Sequence, residues 1–231
     1  PLEDVEQALR IMMGLEAGAT GFTAGKVGIV GSSAGGHLAA SASTLAETKP
    51  AFSILFYPVI TAEKGKGHQG SFNALLGGSR NAESDTWYSL QNRVTAQTPP
   101  TLLLLSDDDK VVPPVNSTLY YNALKEHGVK ASMHIYPTGG HGWGIRDHFE
   151  YKEQWQQATL DWLKELNDDR NTASVLLRQP GLPGCVDVGI RPATSRKSAG
   201  RELAEAAVQA AVQEFGQQVR SRRESDWPAG Q

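Results

Sequence analysis

The chain has 231 residues, of which 39% are hydrophobic and 20% charged, and this composition permits a packed core and excludes wholesale disorder. The net charge of -3 gives no reason to expect nucleic acid or an acidic membrane as a partner, and no run of about 18 apolar residues predicts a membrane span. The single cysteine, Cys185, excludes an intrachain disulfide and a cysteine-based zinc site.

The predicted elements alternate between helices and short apolar strands. In chain order we predict a helix over residues 1–13, a strand over 27–30, a helix over 35–47, a strand over 52–57, helical turns over 71–76 and 84–89 in an insertion, a strand over 101–105, a helix over 114–127, a strand over 131–136 and a helix over 149–166. This alternation predicts an α/β fold, with a parallel sheet of about four strands flanked by helices.

The character of the sequence changes after residue 166, which we take as the end of the domain. Residues 167–198 are polar with scattered glycine and proline, and they predict a loop. Residues 200–223 place their apolar side chains at helical spacing. We therefore expect a domain over residues 1–166 and a tail over 167–231, which is either a docked or detached helix or sequence foreign to the domain.

The sequence Gly-Ser-Ser-Ala-Gly at residues 31–35 lies between a predicted strand and a predicted helix. This is the layout of a nucleophile elbow, a sharp turn that presents a serine hydroxyl, here that of Ser33. The flanking glycines suit a strained, crowded backbone in which a Cβ would clash. A dinucleotide-binding turn fits less well, because Ser33 replaces the second glycine of its fingerprint and no acid ends the next strand. A purely structural turn stays open at this point.

A serine nucleophile needs a base and an acid, and both follow in loops after later strands. Asp107, Asp108 and Asp109 follow the strand over residues 101–105, and His141 lies among four glycines after the strand over 131–136. The order Ser, Asp, His is that of α/β-hydrolases. Spacing alone does not choose among the three aspartates, and a run of acids is also typical of a solvated turn.

The remaining histidines show no spacing that is typical of metal ligands, so we expect neither a metal nor another cofactor. His37 follows Ser33 by four residues, and we interpret it as a helix-surface group or a neighbour of the site. In the insertion, the side chains of His68, Phe72, Asn73, Trp87 and Tyr88 either line the acyl or sugar side of a substrate site or form the insertion's own core.

Four stretches together resemble the acetylxylan-esterase and feruloyl-esterase-like branch of the α/β-hydrolase serine esterases, close also to the prolyl-oligopeptidase hydrolase fold. They are residues 27–39, 56–60, 99–117 and 133–144, in the right order within residues 1–166. The resemblance implies hydrolysis of acetyl or related esters on plant polysaccharides or oligosaccharides. It implies Ser33 as nucleophile, His141 as base, and Asp108 as acid, with Asp109 as the alternative, because the family's acid opens an Asp-Asp-x-Val pattern.

The sequence departs from this family at its start. The backbone N–H of Ala34 supplies one oxyanion donor, but the early His-Gly-Gly loop that normally supplies the second is missing from the chain. The resemblance implies an eight-stranded sheet, so we expect the C-terminal part of a hydrolase domain. We therefore predict an exposed edge at the first strand, marginal stability or self-association, and weak activity or none.

Two other functions stay open at this stage. A peptidase of the prolyl-oligopeptidase type shares the same site residues, and an inactive remnant retains them without function. The chain begins with Pro1 as if at the opening of a helix. The compartment is therefore undetermined: secreted or periplasmic if a preceding segment carries a signal peptide, and otherwise cytoplasmic. The sequence also leaves the oligomeric state undetermined.

Overall fold

A computed structural model describes residues 1–14, 26–144 and 146–176. Its helices and strands are α1 (Leu2–Met12), β1 (Ile29–Ser32), α2 (Ala34–Thr44), β2 (Ser53–Phe56), α3 (Gln69–Leu76), α4 (Ala82–Tyr88), β3 (Thr101–Ser106), α5 (Val115–Glu126), β4 (Ala131–Tyr136) and α6 (Lys152–Leu176), with short 3-10 turns at Gly77–Ser79 and Leu90–Arg93. Of the described residues, 1–14, 26–144 and 148–163 belong to one compact unit, and 146–147 and 164–176 belong to a second.

The four strands form one parallel sheet in the order β1-β2-β3-β4. The predicted α/β fold with about four parallel strands is therefore confirmed. Because all four strands run in the same direction, the loops that follow their carboxyl ends meet at one edge of the sheet. The loops after β1, β3 and β4 carry the predicted serine, acid and histidine, so this topology brings the three side chains to the same edge.

The two central strands carry the core. Every residue of β2 and β3 is buried, as expected for parallel strands that are covered on both faces. On one face Leu55 and Leu103 pack against Ala39 of α2 and against Tyr120 of α5. The alanines of α2 let this helix lie close to the sheet. β1 lies at one edge of the described sheet, where Val30 is 58% exposed, as predicted for an open apolar edge.

Several element boundaries differ from the predictions, most of all those of the first strand and of the last helix. The first strand begins at Ile29 and continues through Gly31 and Ser32, because β1 pairs with β2 as far as Ser32 opposite Phe56. The last helix begins at Lys152 and continues to Leu176, past the predicted end at residue 166, because residues 167–176 contain no glycine or proline to stop it. The loop predicted from residue 167 is therefore helical up to Leu176. The helix predicted over residues 200–223 lies outside the described residues.

The insertion between β2 and β3 is fixed to the domain by buried polar contacts. Asn116 at the start of α5 is fully buried. Its Oδ1 accepts hydrogen bonds from the backbone of Ile60 (3.0 Å) and Thr61 (3.1 Å), and its Nδ2 donates to the carbonyls of Lys66 and Pro113. A buried amide with all these bonds fixes the path of the chain that leaves β2.

Neither a membrane span nor a metal site is found in the described part of the chain. None of its helices is both long and apolar enough to cross a bilayer. Among the same residues, no three His, Cys, Asp or Glu side chains are grouped so that they could hold a metal ion.

Candidate active site

Ser33 lies at the turn between β1 and α2 in a strained conformation. Its φ is 55° and its ψ is -122°, a region that non-glycine residues rarely adopt and that costs about 1–3 kcal/mol. The backbone is held there by three hydrogen bonds. The Ser33 N–H donates to Phe56 O (3.0 Å), and the Ser33 carbonyl accepts from the N–H of His37 (3.2 Å) and of Val59 (3.0 Å). The turn thus aims the Ser33 side chain away from the strand.

The glycines of the elbow serve different purposes. A Cβ at Gly31 would overlap the carbonyl of Gly35, and a Cβ at Gly36 would lie 2.7 Å from Cβ of Pro58. A Cβ at Gly35 would meet no atom within 4 Å. The predicted crowding is therefore correct at Gly31 and wrong at Gly35, because crowding arises where α2 approaches the sheet and not throughout the turn.

His141 links the serine to an aspartate. Its Nε2 lies 2.8 Å from Ser33 Oγ, and its Nδ1 lies 2.6 Å from Asp109 Oδ2. An ionised carboxylate only accepts hydrogen bonds, so Nδ1 carries the ring proton and donates a hydrogen bond to Asp109. Nε2 of the neutral ring is then an acceptor, and the Ser33 hydroxyl donates to it. This arrangement can take the proton from Ser33 when its oxygen attacks a carbonyl.

Asp109, and not Asp108, is the acid that contacts His141. The Asp109 side chain is 1% exposed, and its Oδ1 accepts hydrogen bonds from the N–H groups of Val111 (2.9 Å) and Val112 (3.0 Å). Asp108 is exposed. The prediction that Asp108 orients the histidine is therefore corrected, because the turn after β3 directs only the third of the consecutive acids inward.

Asp108 instead contacts the loop that carries His141. Its carboxylate oxygens accept hydrogen bonds from the backbone N–H of Gly140 (2.8 Å) and Gly139 (3.4 Å). Those two glycines and the two that follow His141, Gly142 and Gly144, all have positive φ. A loop of this kind has little conformational preference of its own. Asp108 is thus one of the contacts that fix the position of His141.

Aromatic rings pack behind the histidine, and the sequence analysis did not predict them. The ring of Tyr57 lies 4.7 Å from that of His141 and 5.2 Å from that of Trp143. Trp143 stacks on Phe149 at 4.0 Å. Tyr57 also has a positive φ of 35°, which is unusual for a bulky residue. The signal was present in the aromatic pair at residues 56–57, where β2 ends at Phe56 and Tyr57 follows it.

Ala34 is the first residue of α2, so its N–H has no acceptor within the helix. This residue is also one of those that line a cleft of about 690 Å³ formed by the start of α1, by α2 and by the insertion. Other lining residues are His37, Phe72, Leu75, Trp87, Tyr88 and Arg93. The volume lies within the range of small-molecule sites, about 300–1,000 Å³. The cleft therefore gives a ligand room next to the residue that follows Ser33.

His37 is buried and does not lie on the helix surface. Its Nε2 donates to the carbonyl of Tyr88 (2.9 Å), and its ring lies edge-on to Phe72 at 5.3 Å. Burial lowers the pKa of His37, although the bond to the Tyr88 carbonyl acts in the opposite direction. His37 therefore joins α2 to the insertion. Phe72 is buried, whereas Trp87, which is 49% exposed, lies along the cleft.

The chain is similar to several known hydrolases. The chain is 40% identical over 172 residues to the acetylxylan esterase of Xylanibacter ruminicola, an alignment that covers 72% of this chain and 36% of that protein. The acetyl ester-xyloside bifunctional hydrolase from Caldicellulosiruptor lactoaceticus is 32% identical, with a TM-score of 0.65 over 72% of this chain and 66% of that one. The chain thus spans about a third of the first relative.

An alpha/beta hydrolase enzyme from a Medee basin deep-sea metagenome superposes with a TM-score of 0.57 at 21% identity, over 73% of this chain and 65% of that one. This likeness establishes the fold alone, and it agrees with the α/β-hydrolase fold that the sequence predicted. Residues 14–169 match the family model of the prolyl oligopeptidase family. Because that match extends over most of the sequence, the chain belongs to the prolyl oligopeptidase family.

Proposed function

We propose that this protein is a serine carboxylesterase that hydrolyses acetyl or related esters on plant polysaccharides or oligosaccharides. The observation that carries the proposal is the chain of hydrogen bonds from Ser33 through His141 to Asp109. The acetylxylan esterase at 40% identity and the acetyl ester-xyloside hydrolase at 32% identity support the choice of substrate class. Esters of this kind are accessible to a serine nucleophile without a metal or cofactor.

In this mechanism Ser33 Oγ attacks the ester carbonyl and gives its proton to Nε2 of His141. The tetrahedral intermediate collapses as the bond to the alcohol oxygen breaks, and His141 returns the proton to that oxygen. Water then attacks the acyl-serine, with His141 again acting as base, and the acid and free Ser33 are released. Asp109 stays ionised throughout and stabilises the imidazolium form of His141.

The negative charge that develops on the carbonyl oxygen requires nearby donors. The N–H of Ala34 is the donor that this proposal assigns, because it lies directly after Ser33 at the start of α2. Removal of one oxyanion donor typically costs about 10²–10³ in rate.

A peptidase is the second candidate, and the match to the prolyl oligopeptidase family model favours it. The same three residues can cleave an amide, because the acylation chemistry is shared. Parallel assays with acetylated xylo-oligosaccharides and with dipeptide amides separate the two functions. Hydrolysis of the sugar esters alone supports the esterase, and preferential cleavage of the amides replaces it with the peptidase.

The decisive test replaces Ser33 and its neighbour in turn. Ser33→Ala is expected to abolish both labelling by a fluorophosphonate probe and hydrolysis of p-nitrophenyl acetate. Ser32→Ala, at the end of β1, removes an adjacent hydroxyl and is the matched control, so it should retain both. Labelling that persists in Ser33→Ala eliminates Ser33 as the nucleophile. Absence of labelling and of turnover in the unaltered protein supports an inactive remnant.

A further inference from the structure

The cleft beside Ala34 contains an unusual cation. Arg93 lies at the end of a 3-10 turn and lines this cleft, and its guanidinium carbon lies 3.9 Å from the ring centroid of Trp87. Its Nε is buried without a hydrogen-bond partner among the described residues. Buried donors that lack a partner are rare and costly, so one left beside a ligand-sized space suggests an absent partner. A ligand group that accepts hydrogen bonds can serve as that partner.

The charged residues that line the cleft indicate which kind of ligand group can bind Arg93. Arg93 is the one charged side chain among the described residues that line the cleft, and no carboxylate is among them. By contrast, nearby Arg80 in the insertion is fully engaged: its Nε lies 2.8 Å from Asp85 Oδ1, and it also donates to Asn73 and Gln69. A planar guanidinium pairs best with a carboxylate or phosphate, because its forked donors match two oxygens.

We infer that Arg93 binds a carboxylate on the sugar part of the substrate, so the preferred esters are acetylated oligosaccharides that carry a uronic acid. This inference rests on the proposed function, which places the scissile ester at Ser33. Ala34, the residue that follows Ser33, and Arg93 both line the cleft. Trp87 and Leu75, both exposed, offer the apolar surface against which sugar faces pack.

The test compares two xylo-oligosaccharide esters of equal length, one neutral and one bearing a uronic acid. The unaltered protein is expected to have the higher kcat/KM for the acidic ester. Arg93→Gln should lower that value about 10- to 100-fold, as for loss of a hydrogen bond to a charged group. Hydrolysis of the neutral ester and of p-nitrophenyl acetate should fall several-fold less than hydrolysis of the acidic ester, because neither substrate offers a carboxylate to Arg93. Equal losses on both sugar esters, or no initial preference, overturn the inference.

Two further variants separate charge from geometry. Arg93→Lys keeps the charge but loses the fork, so an intermediate loss on the acidic ester is expected. Lys125→Gln removes one positive charge from α5, outside the cleft, and should leave the preference unchanged. If Lys125→Gln loses the preference for the acidic ester as fully as Arg93→Gln does, a local role of Arg93 is contradicted, since the preference then reflects net charge alone.

Binding measured in the Ser33→Ala variant distinguishes failure of this inference from failure of the proposed function. The probe is a deacetylated xylo-oligosaccharide bearing a uronic acid, and its Kd is measured by calorimetry. Adding Arg93→Gln is expected to weaken binding about 10- to 100-fold. If binding depends on Arg93 but the unaltered protein has no esterase activity, the carboxylate site is upheld and the proposed esterase function is wrong. If the unaltered protein is an esterase but binding of the probe does not depend on Arg93, the esterase function is upheld and the carboxylate site is wrong.

Discussion

Asp109→Asn is the substitution that tests the site most directly. The carboxamide oxygen can still accept hydrogen bonds from the N–H groups of Val111 and Val112, which lie 2.9 and 3.0 Å from Oδ1 of the acid. Its NH₂ group then faces His141 Nδ1, at the position where the carboxylate oxygen lies 2.6 Å away. Two donors cannot pair, so Nδ1 must become the acceptor and the ring proton moves to Nε2.

A proton on Nε2 removes the acceptor that Ser33 needs, which lies 2.8 Å from its Oγ. The cost expected for an inverted tautomer of this kind is about 10⁴ in kcat, or about 5 kcal/mol in the barrier. The assay is the rate constant for labelling by a fluorophosphonate, together with hydrolysis of p-nitrophenyl acetate. Thermal melts of the variant establish that the domain is still folded when the rate is measured.

Asp108→Asn is the matched control, because it makes the same chemical change one residue earlier. Its carboxamide oxygen can still accept the hydrogen bond from Gly140, which spans 2.8 Å. We expect less than about a tenfold loss of rate, the equivalent of one weakened hydrogen bond. The reasoning is refuted if Asp108→Asn is as damaging as Asp109→Asn, since the acid predicted from the sequence pattern would then be the functional one.

Two further predictions concern the His141 loop and the stability of the domain. Gly139→Ala should slow labelling about 100-fold, because its Cβ would overlap Phe149 and lie 2.7 Å from Ser106 Oγ. In Gly140→Ala the new Cβ meets open space, so the expected cost is only about 1 kcal/mol in the free energy of unfolding, measured by thermal melts. Equal slowing of labelling in the two variants contradicts this prediction. Burial lowers the pKa of His37 below its usual 6.5, so below pH 6.5 the unfolded state binds a proton that the folded state resists, and stability falls by up to about 1.4 kcal/mol per pH unit. His37→Gln should therefore reduce the loss of Tm as the pH is lowered below 6.5, and an unchanged slope would show that His37 does not contribute.

The fold and most of the site followed from sequence because they depend on patterns that repeat. Short apolar runs alternating with amphipathic ones indicated a parallel sheet, and the carboxyl ends of its strands then brought Ser33 and His141 together. The choice between Asp108 and Asp109 depended on the direction of side chains in one tight turn. No repeating sequence pattern reports that direction. The packing of Tyr57 on His141 was missed for a similar reason, because it arises from a positive φ at a bulky residue.

The elbow is secured from the inner side of the sheet. The Ser33 N–H bonds to the end of β2 at Phe56, and its carbonyl accepts from Val59 and from His37 of α2. The outer side of β1 is the edge of the described sheet, where Val30 is exposed. Pairing of another strand along that edge would engage backbone groups of β1 that these bonds do not use. Self-association through β1, which stays a prediction, is therefore compatible with an intact geometry at Ser33.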